Sequence, residues 1–124
     1  MNIVDSSGWL SYFADEPHAK HFLTPLHDAA SLVVPTVTIY EVFKVVLRES
    51  NENDALQAAV AMQRGTVVDL TAPLAIAASK LSLEYNLPMA DSIILATAKE
   101  FNAILWTQDS DFEKISGVKY FPKK

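Results

Sequence analysis

The segment TQDSDF, residues 107–112, places two carboxylates directly after an apolar run. Asp109 and Asp111 follow AILW, residues 103–106, which has the character of a buried strand, and no basic residue separates them. Turn chemistry is one interpretation, because Asp and Ser bond nearby backbone amides and often begin a helix, here one formed by DFEKI. The alternative is that the two carboxylates belong to a site that other parts of the chain complete.

Three further acids stand where strands are predicted to end or helices to begin. Asp5 closes the strand NIVD, Glu41 lies early in the helix TVTIYEVFKVVLRES, and Asp91 lies in the first turn of the helix MADSIILATAKEF. In an open parallel sheet, strand carboxyl ends and helix N-termini meet at one edge, where binding sites form. We therefore expect Asp5, Glu41, Asp91 and Asp109 to lie at the same edge.

Each of these acids also has a purely structural interpretation. Asp5 could cap the helix that begins near Ser6, and Asp91 in a first turn is favoured by the helix macrodipole. Glu41 stands three residues after Thr38, the spacing of a capping box in which the glutamate bonds a backbone amide. Short matches of this kind are common by chance, so the case for a site depends on the acids taken together.

Converging carboxylates would require a compensating charge. Two of them about 4 Å apart repel by about 4 kcal/mol at an effective dielectric constant of 20. Oxygen ligands without histidine or thiolate suit Mg²⁺ or Mn²⁺, ions that act on phosphate esters with water as the nucleophile. The chain has no cysteine, so thiolate sites and a cysteine nucleophile are excluded. A metal shared by His18 and His21 is a weaker alternative, because surface or packed histidines are far commoner.

Length and composition predict one domain, residues 1–124, of the α/β class. A chain that is 50% hydrophobic and 20% charged has an ordinary globular composition. Short strands that alternate with helices indicate a mainly parallel sheet with helices on both faces. The predicted strands are NIVD, LVVP, TVVDL, AILWT and VKYF, and HAKHFLTPLHDA is expected to be helical with an interruption near Pro25. Three glycines are too few for a dinucleotide fingerprint or a phosphate loop.

The N-terminal residues, the apolar runs and the net charge also indicate where the protein is located and how it can attract a substrate. The opening MNIVDSSGWL lacks the basic start and apolar run of a signal peptide, and SLVVPTVTIY is far shorter than the roughly 20 residues of a membrane span. We therefore expect a cytoplasmic protein without membrane contact. The net charge of -5 and the lack of a basic stripe mean that a polyanionic substrate must be held locally.

With VDSSGWL, TIYEV, MADSIILATA and TQDSDF in this order, the sequence resembles the PIN-domain ribonucleases, particularly the VapC-type toxins of toxin-antitoxin pairs. The resemblance covers essentially the whole chain. It implies catalytic, metal-binding acids at Asp5, Glu41, Asp91 and Asp109, with Asp111 as a further acid of the metal site. It also implies supporting hydroxyl residues at Ser6 and Thr107.

The same resemblance implies a three-layer α/β/α fold, a homodimer, and Mg²⁺- or Mn²⁺-dependent cleavage of RNA by metal-activated water. It further implies a cognate antitoxin that covers the site. Because a charged, bidentate donor suits clustered carboxylates, we expect an arginine or lysine of that antitoxin in the acidic pocket. Trp106 is bulkier than the aliphatic residue expected at its position, which we interpret as a packing variation.

Other classes remain open at this level. A phosphoacceptor receiver domain would need adjacent acids after the first strand, where Asp5 is followed by Ser6 and Ser7, and a lysine after the last strand. A haloacid-dehalogenase-type phosphatase would need an aspartate at position 7. A PIN-like scaffold that binds RNA or a partner without cutting is distinguished only by a test of metal-dependent turnover.

Overall fold

The computed structural model describes residues 1–123, which form short strands, α-helices and 3₁₀ segments. The strands are β1 (Asn2–Val4), β2 (Val33–Pro35), β3 (Thr66–Val68), β4 (Ile104–Thr107) and β5 (Val118–Tyr120). The α-helices are α1 (Ser6–Phe13), α2 (Leu23–Leu26), α3 (Thr36–Glu49), α4 (Glu52–Met62), α5 (Ala72–Tyr85) and α6 (Met89–Glu100). The 3₁₀ segments are Pro17–Phe22, Ala29–Ser31 and Ser110–Phe112. No helix within residues 1–123 has the length and apolar character needed to cross a bilayer.

Every strand pair in this part of the chain is parallel. One sheet has the order β1-β4-β5 and the other pairs β2 with β3. A single bridge between Asn2 and Leu32 joins the two sheets, so the strands lie in the order β3-β2-β1-β4-β5. The predicted parallel arrangement of short strands is confirmed, and VKYF does contain a strand. The break between β1 and β2 has no signal in the sequence.

Alternating side chains of the strands supply two apolar cores on opposite faces. Ile3 and Leu105 pack in a cluster with Ile94 of α6. Val4, next to Ile3, packs in a separate cluster with Met62 of α4. Because successive strand residues point to opposite faces, helices are required on both sides of the sheet. The result is the predicted three-layer α/β/α arrangement.

Helix α1 packs very closely on β1. A Cβ atom added at Gly8 would lie 2.5 Å from Cγ1 of Val4 and 3.1 Å from the ring of Phe22. Any larger residue would force α1 away from the strand. Gly8 therefore allows the first turn of α1 to lie directly against the carboxyl end of β1, where Asp5 stands.

Two helix predictions need correction. DFEKI does not form an α-helix, because β5 already begins at Val118 and leaves too few residues for one. Only the 3₁₀ segment Ser110–Phe112 forms there. HAKHFLTPLHDA forms a 3₁₀ segment followed by α2, and Pro25 lies inside α2 instead of interrupting it. Proline is tolerated there because amides in the first helical turn have no intrahelical acceptor.

Candidate active site

Asp5 and Asp109 follow neighbouring strands at the same edge of the sheet. Val4 of β1 pairs with Trp106 of β4, and the amide of Asp5 donates to the carbonyl of Trp106 over 3.2 Å. Asp109 comes two residues after Thr107, the last residue of β4. The carboxyl ends of parallel strands therefore bring the two acids together, as expected.

The carboxylate of Asp5 is buried and hydrogen-bonded on both oxygens. It accepts from the Ser7 hydroxyl at 2.8 Å, the Gly8 amide at 3.0 Å and the Thr107 hydroxyl at 2.6 Å. Burial raises the pKa of Asp5 to about 6, although these three hydrogen bonds act to lower it. Asp5 is thus the predicted cap of α1 and also a buried acid at the sheet edge.

Thr107 links the two acids that follow the strands. Its hydroxyl donates to Asp5 and accepts from the backbone amide of Asp109 at 2.9 Å. The carboxylate of Asp109 in turn accepts from the amide of Asp111 at 2.9 Å. The turn chemistry expected of TQDSDF is therefore present, and it holds the Asp109 and Asp111 backbone beside Asp5.

Asp91, Asp109 and Asp111 form the tightest group of acids at this edge. One carboxylate oxygen from each lies within 4.8 Å of the others. Partial burial, followed by the negative charges of Asp109, Asp5, Glu41 and Asp111, raises the pKa of Asp91 to about 7. The other four acids proposed from the sequence therefore all act electrostatically on Asp91, although Asp5 and Glu41 lie outside the tightest group.

Glu41 reaches this edge through a bond to another helix. The Ser6 hydroxyl of α1 donates to Oε1 of Glu41 over 2.5 Å. The capping-box interpretation is wrong, because α3 begins at Thr36 with Pro35 as its N-cap, and Thr38 is buried inside the first turn. Glu41 is consequently directed toward α1 and Asp91, and not back to its own helix terminus.

Within residues 1–123, no basic side chain forms an ion pair with any of these five acids. The ion pairs in this part of the chain join His18 to Glu16 and Arg48 to Glu49. Lys119 lies with its ammonium 4.4 Å from the ring centroid of Trp106. Oxygen donors without a compensating side chain fit a hard divalent cation such as Mg²⁺ or Mn²⁺.

The histidines do not form a competing site. His18 lies 3.2 Å from Glu16, and the ring of His21 stacks on Phe121 with 4.6 Å between centroids. Within residues 1–123, the group of His, Cys, Asp and Glu residues able to hold a metal is the aspartate group described above.

Two residues that support the site were missed in the sequence. Ser7 donates to the Asp5 carboxylate, and Gln108 donates from Nε2 to the Ser7 carbonyl at 3.2 Å. Ser7 could have been found from the tendency of Asp to bond residues two or three positions later. Gln108, only 6% exposed, gives no comparable signal because its partner is remote in the chain.

The PIN domain profile matches residues 3–118. The chain belongs to the PIN-domain family. The resemblance inferred from the acidic motifs is thereby confirmed, and the receiver-domain and phosphatase alternatives are excluded. No curated protein matches this PIN domain in sequence.

Solved structures share the fold of this PIN domain over almost its whole length. A toxin-antitoxin complex from Klebsiella pneumoniae has a TM-score of 0.84 at 23% identity, covering 99% of this chain and 100% of that chain. VapC20 of Mycobacterium tuberculosis, a toxin that cleaves the sarcin-ricin loop, has a TM-score of 0.77 at 15% identity, with 94% and 95% covered. DNA-bound VapBC from Salmonella typhimurium has a TM-score of 0.77 at 16% identity, with 98% of each chain covered.

Proposed function

We propose that this PIN domain is a Mg²⁺- or Mn²⁺-dependent endoribonuclease and the toxin of a toxin-antitoxin pair. The observation that carries the proposal is the convergence of Asp91, Asp109 and Asp111 within 4.8 Å at the carboxyl edge of the sheet, without a basic partner in residues 1–123. The VapC and VapBC structures with the same fold favour this class. Residues 1–124 would act as a single nuclease domain.

The side chains divide into those that would hold the ion and those that orient them. Asp91, Asp109 and Asp111, with Asp5 and Glu41 beside them, would provide the oxygen ligands. A bound divalent ion supplies positive charge that favours attack of water on an RNA phosphodiester and offsets charge on the leaving oxygen.

The hydroxyl residues keep the acids in place before substrate arrives. Thr107 and Ser7 direct hydrogen bonds at Asp5, and Ser6 holds Glu41 at the end of α3 nearest the site. Because hydroxyl donors favour the charged form of a carboxylate, Thr107 and Ser7 offset part of the rise that burial causes in the pKa of Asp5.

The experiment is an RNA-cleavage assay with Mn²⁺, with Mg²⁺ and with chelator. Asp91→Asn and Asp109→Asn should each reduce cleavage by more than about 100-fold, because even loss of a group that only orients a metal ligand costs about 10- to 100-fold. Asp69→Asn is the matched control, since Asp69 is an exposed acid after β3. Undiminished cleavage in chelator, or in both variants, would reject the metal mechanism. RNA binding without turnover would instead favour the non-cleaving PIN-like scaffold.

An antitoxin is the expected protein partner. A groove of about 820 Å³ lies between α1, α3 and α4, and its wall includes Leu10, Phe13 and Val46. Acidic residues border it at Glu16, Glu49 and Asp54. This surface suits an apolar antitoxin segment with basic side chains, one of which would enter the adjacent acidic pocket. An antitoxin complex with both the groove and the acids uncovered would contradict the assignment.

A homodimer in the cytoplasm is also proposed, and it rests chiefly on the family. Ile76 and Leu83 lie seven residues apart on α5 and are 60% and 89% exposed. Exposed apolar side chains on one side of a helix favour an interface. Sedimentation at micromolar concentration should show a dimer, and a monomer at all concentrations would contradict the proposal.

A further inference from the structure

Helix α3 presents an outward face that the acidic site does not account for. Thr38 and Val42 are fully buried, whereas Tyr40 is 63% exposed on the opposite side. Lys44 and Arg48 follow Tyr40 at intervals of four residues, which places the three on one face of the helix. We call Tyr40, Lys44 and Arg48 the α3 face.

This face begins beside the acidic site. Tyr40 immediately precedes Glu41, which is bonded to Ser6. Lys44 and Arg48 come three and seven residues after Glu41, so both lie on the side of the helix that carries it. At about 1.5 Å per residue, the α3 face extends about 12 Å away from the acids.

The side chains of the α3 face suit an RNA strand. The Lys44 ammonium lies 5.7 Å from the centroid of the Tyr40 ring, and Lys44 forms no ion pair within residues 1–123. Arg48 pairs with Glu49 at 3.4 Å, but both side chains are 64% exposed, so a phosphate can replace that partner at little cost. An exposed aromatic ring accepts a stacked base of any sequence, and flanking cations contact the phosphates.

We propose that the α3 face binds single-stranded RNA and leads it into the acidic site. This inference rests on the proposed nuclease function. The net charge of -5 and the five acids at the site repel phosphates, so the attraction must come from cations placed locally. Lys44 and Arg48 are the cations of α3, and both lie on the side of Glu41. An exposed tyrosine beside an arginine also suits a protein partner, but that role would not require the cations to align with the acids.

The test measures binding of a fluorescein-labelled, mixed-sequence single-stranded RNA to the Asp109→Asn protein, because this change should slow cleavage by more than about 100-fold. Adding Tyr40→Ala should weaken binding about 5- to 150-fold, whereas Tyr40→Phe keeps the ring and should keep the affinity. A double Lys44→Gln and Arg48→Gln variant should reduce the slope of log affinity against log salt by about 1.4. Lys80→Gln, which removes an exposed cation from α5, should change neither quantity.

Measurements of cleavage, Mn²⁺ binding, dimerisation and antitoxin affinity distinguish an RNA-binding face from a protein-binding one. Without the Asp109 change, the α3 variants should lower kcat/KM for RNA while the thermal shift caused by Mn²⁺ stays at its wild-type size. Wild-type affinity and salt slope in the α3 variants would overturn the inference. Unchanged RNA binding with weakened dimerisation or antitoxin affinity would also overturn it and assign the face to a protein partner. Because binding needs no turnover, failure of the wild type to cleave RNA would reject the nuclease proposal separately.

Discussion

Substituting Asp91 by asparagine should change how the stability of the metal-free protein depends on pH. Burial and then the charges of neighbouring acids raise the pKa of Asp91 from 3.8 to about 7 in the folded protein. The folded state therefore binds the Asp91 proton more tightly than the unfolded state. Its contribution to stability is complete below about pH 4 and is lost as the pH rises through about 7.

The size of this effect follows from the shift and the exposure of the side chain. A rise in the pKa from 3.8 to about 7 corresponds to about 4 kcal/mol in the absence of solvent screening. Asp91 is only half-buried, so we expect about 1–2 kcal/mol of pH-dependent stability. Asparagine carries no charge and retains the shape of the side chain, so it should remove this part of the dependence.

The assay is urea unfolding at pH 5 and pH 8 with chelator. Wild-type protein should lose about 1 kcal/mol more than Asp91→Asn between these pH values, because part of the total effect lies below pH 5. A divalent ion at 100 times its dissociation constant should then stabilise the wild type at pH 8 by about 2.7 kcal/mol, and the variant by much less. Asp69→Asn, which alters an exposed acid after β3, should behave as the wild type does in both measurements.

Equal pH dependence and equal metal responses in wild type and Asp91→Asn would refute this reasoning. Asp91 would then be an ordinary acid in a first helical turn, stabilised by the helix macrodipole. The closeness of Asp109 and Asp111 would not amount to a cation site.

Two further substitutions test the packing and hydrogen bonds around Asp5. Gly8→Ala should destabilise the protein by about 1–3 kcal/mol, because its Cβ would lie 2.5 Å from Val4, and an unchanged melting temperature would contradict the close packing. Thr107→Val should cost about 1–3 kcal/mol in urea unfolding, because it removes the acceptor of the Asp109 amide and a donor to Asp5. Thr107→Ser is the control and should retain most of that stability.

The sequence was sufficient to predict those parts of the molecule that follow from local periodicity and strand topology. Ile3 and Val4 alternate between two faces, which requires helices on both sides of a sheet. Asp5 and Asp109 follow strands, and parallel pairing brings their ends to one edge. The order of strands and helices is enough to predict both features. The α/β class and the common edge of the acids could therefore be predicted from the sequence.

Contacts between segments that are remote in the chain could not be predicted from the sequence in the same way. Thr38 and Glu41 have the spacing of a capping box, yet the position of α1 decides that Glu41 bonds Ser6. Gln108 bonds the carbonyl of Ser7, a partner that only the packing of α1 against β4 brings close. Local propensity also favoured a helix in DFEKI, where the nearby start of β5 leaves room for one 3₁₀ segment.

The single bridge between β1 and β2 divides the molecule along a line that passes through the acidic edge. Asp5 and Asp109 belong to the three-stranded sheet, whereas Glu41 lies on the helix that follows β2. Few backbone hydrogen bonds resist separation along this line, so amide protons of β2 and β3 should exchange with solvent through a local opening that leaves β1, β4 and β5 closed. Repulsion among the acids favours that opening, and a ligand that contacts acids on both sides opposes it. A ligand bound at the site should therefore slow amide exchange in β2 and β3, although neither strand carries a residue of the site.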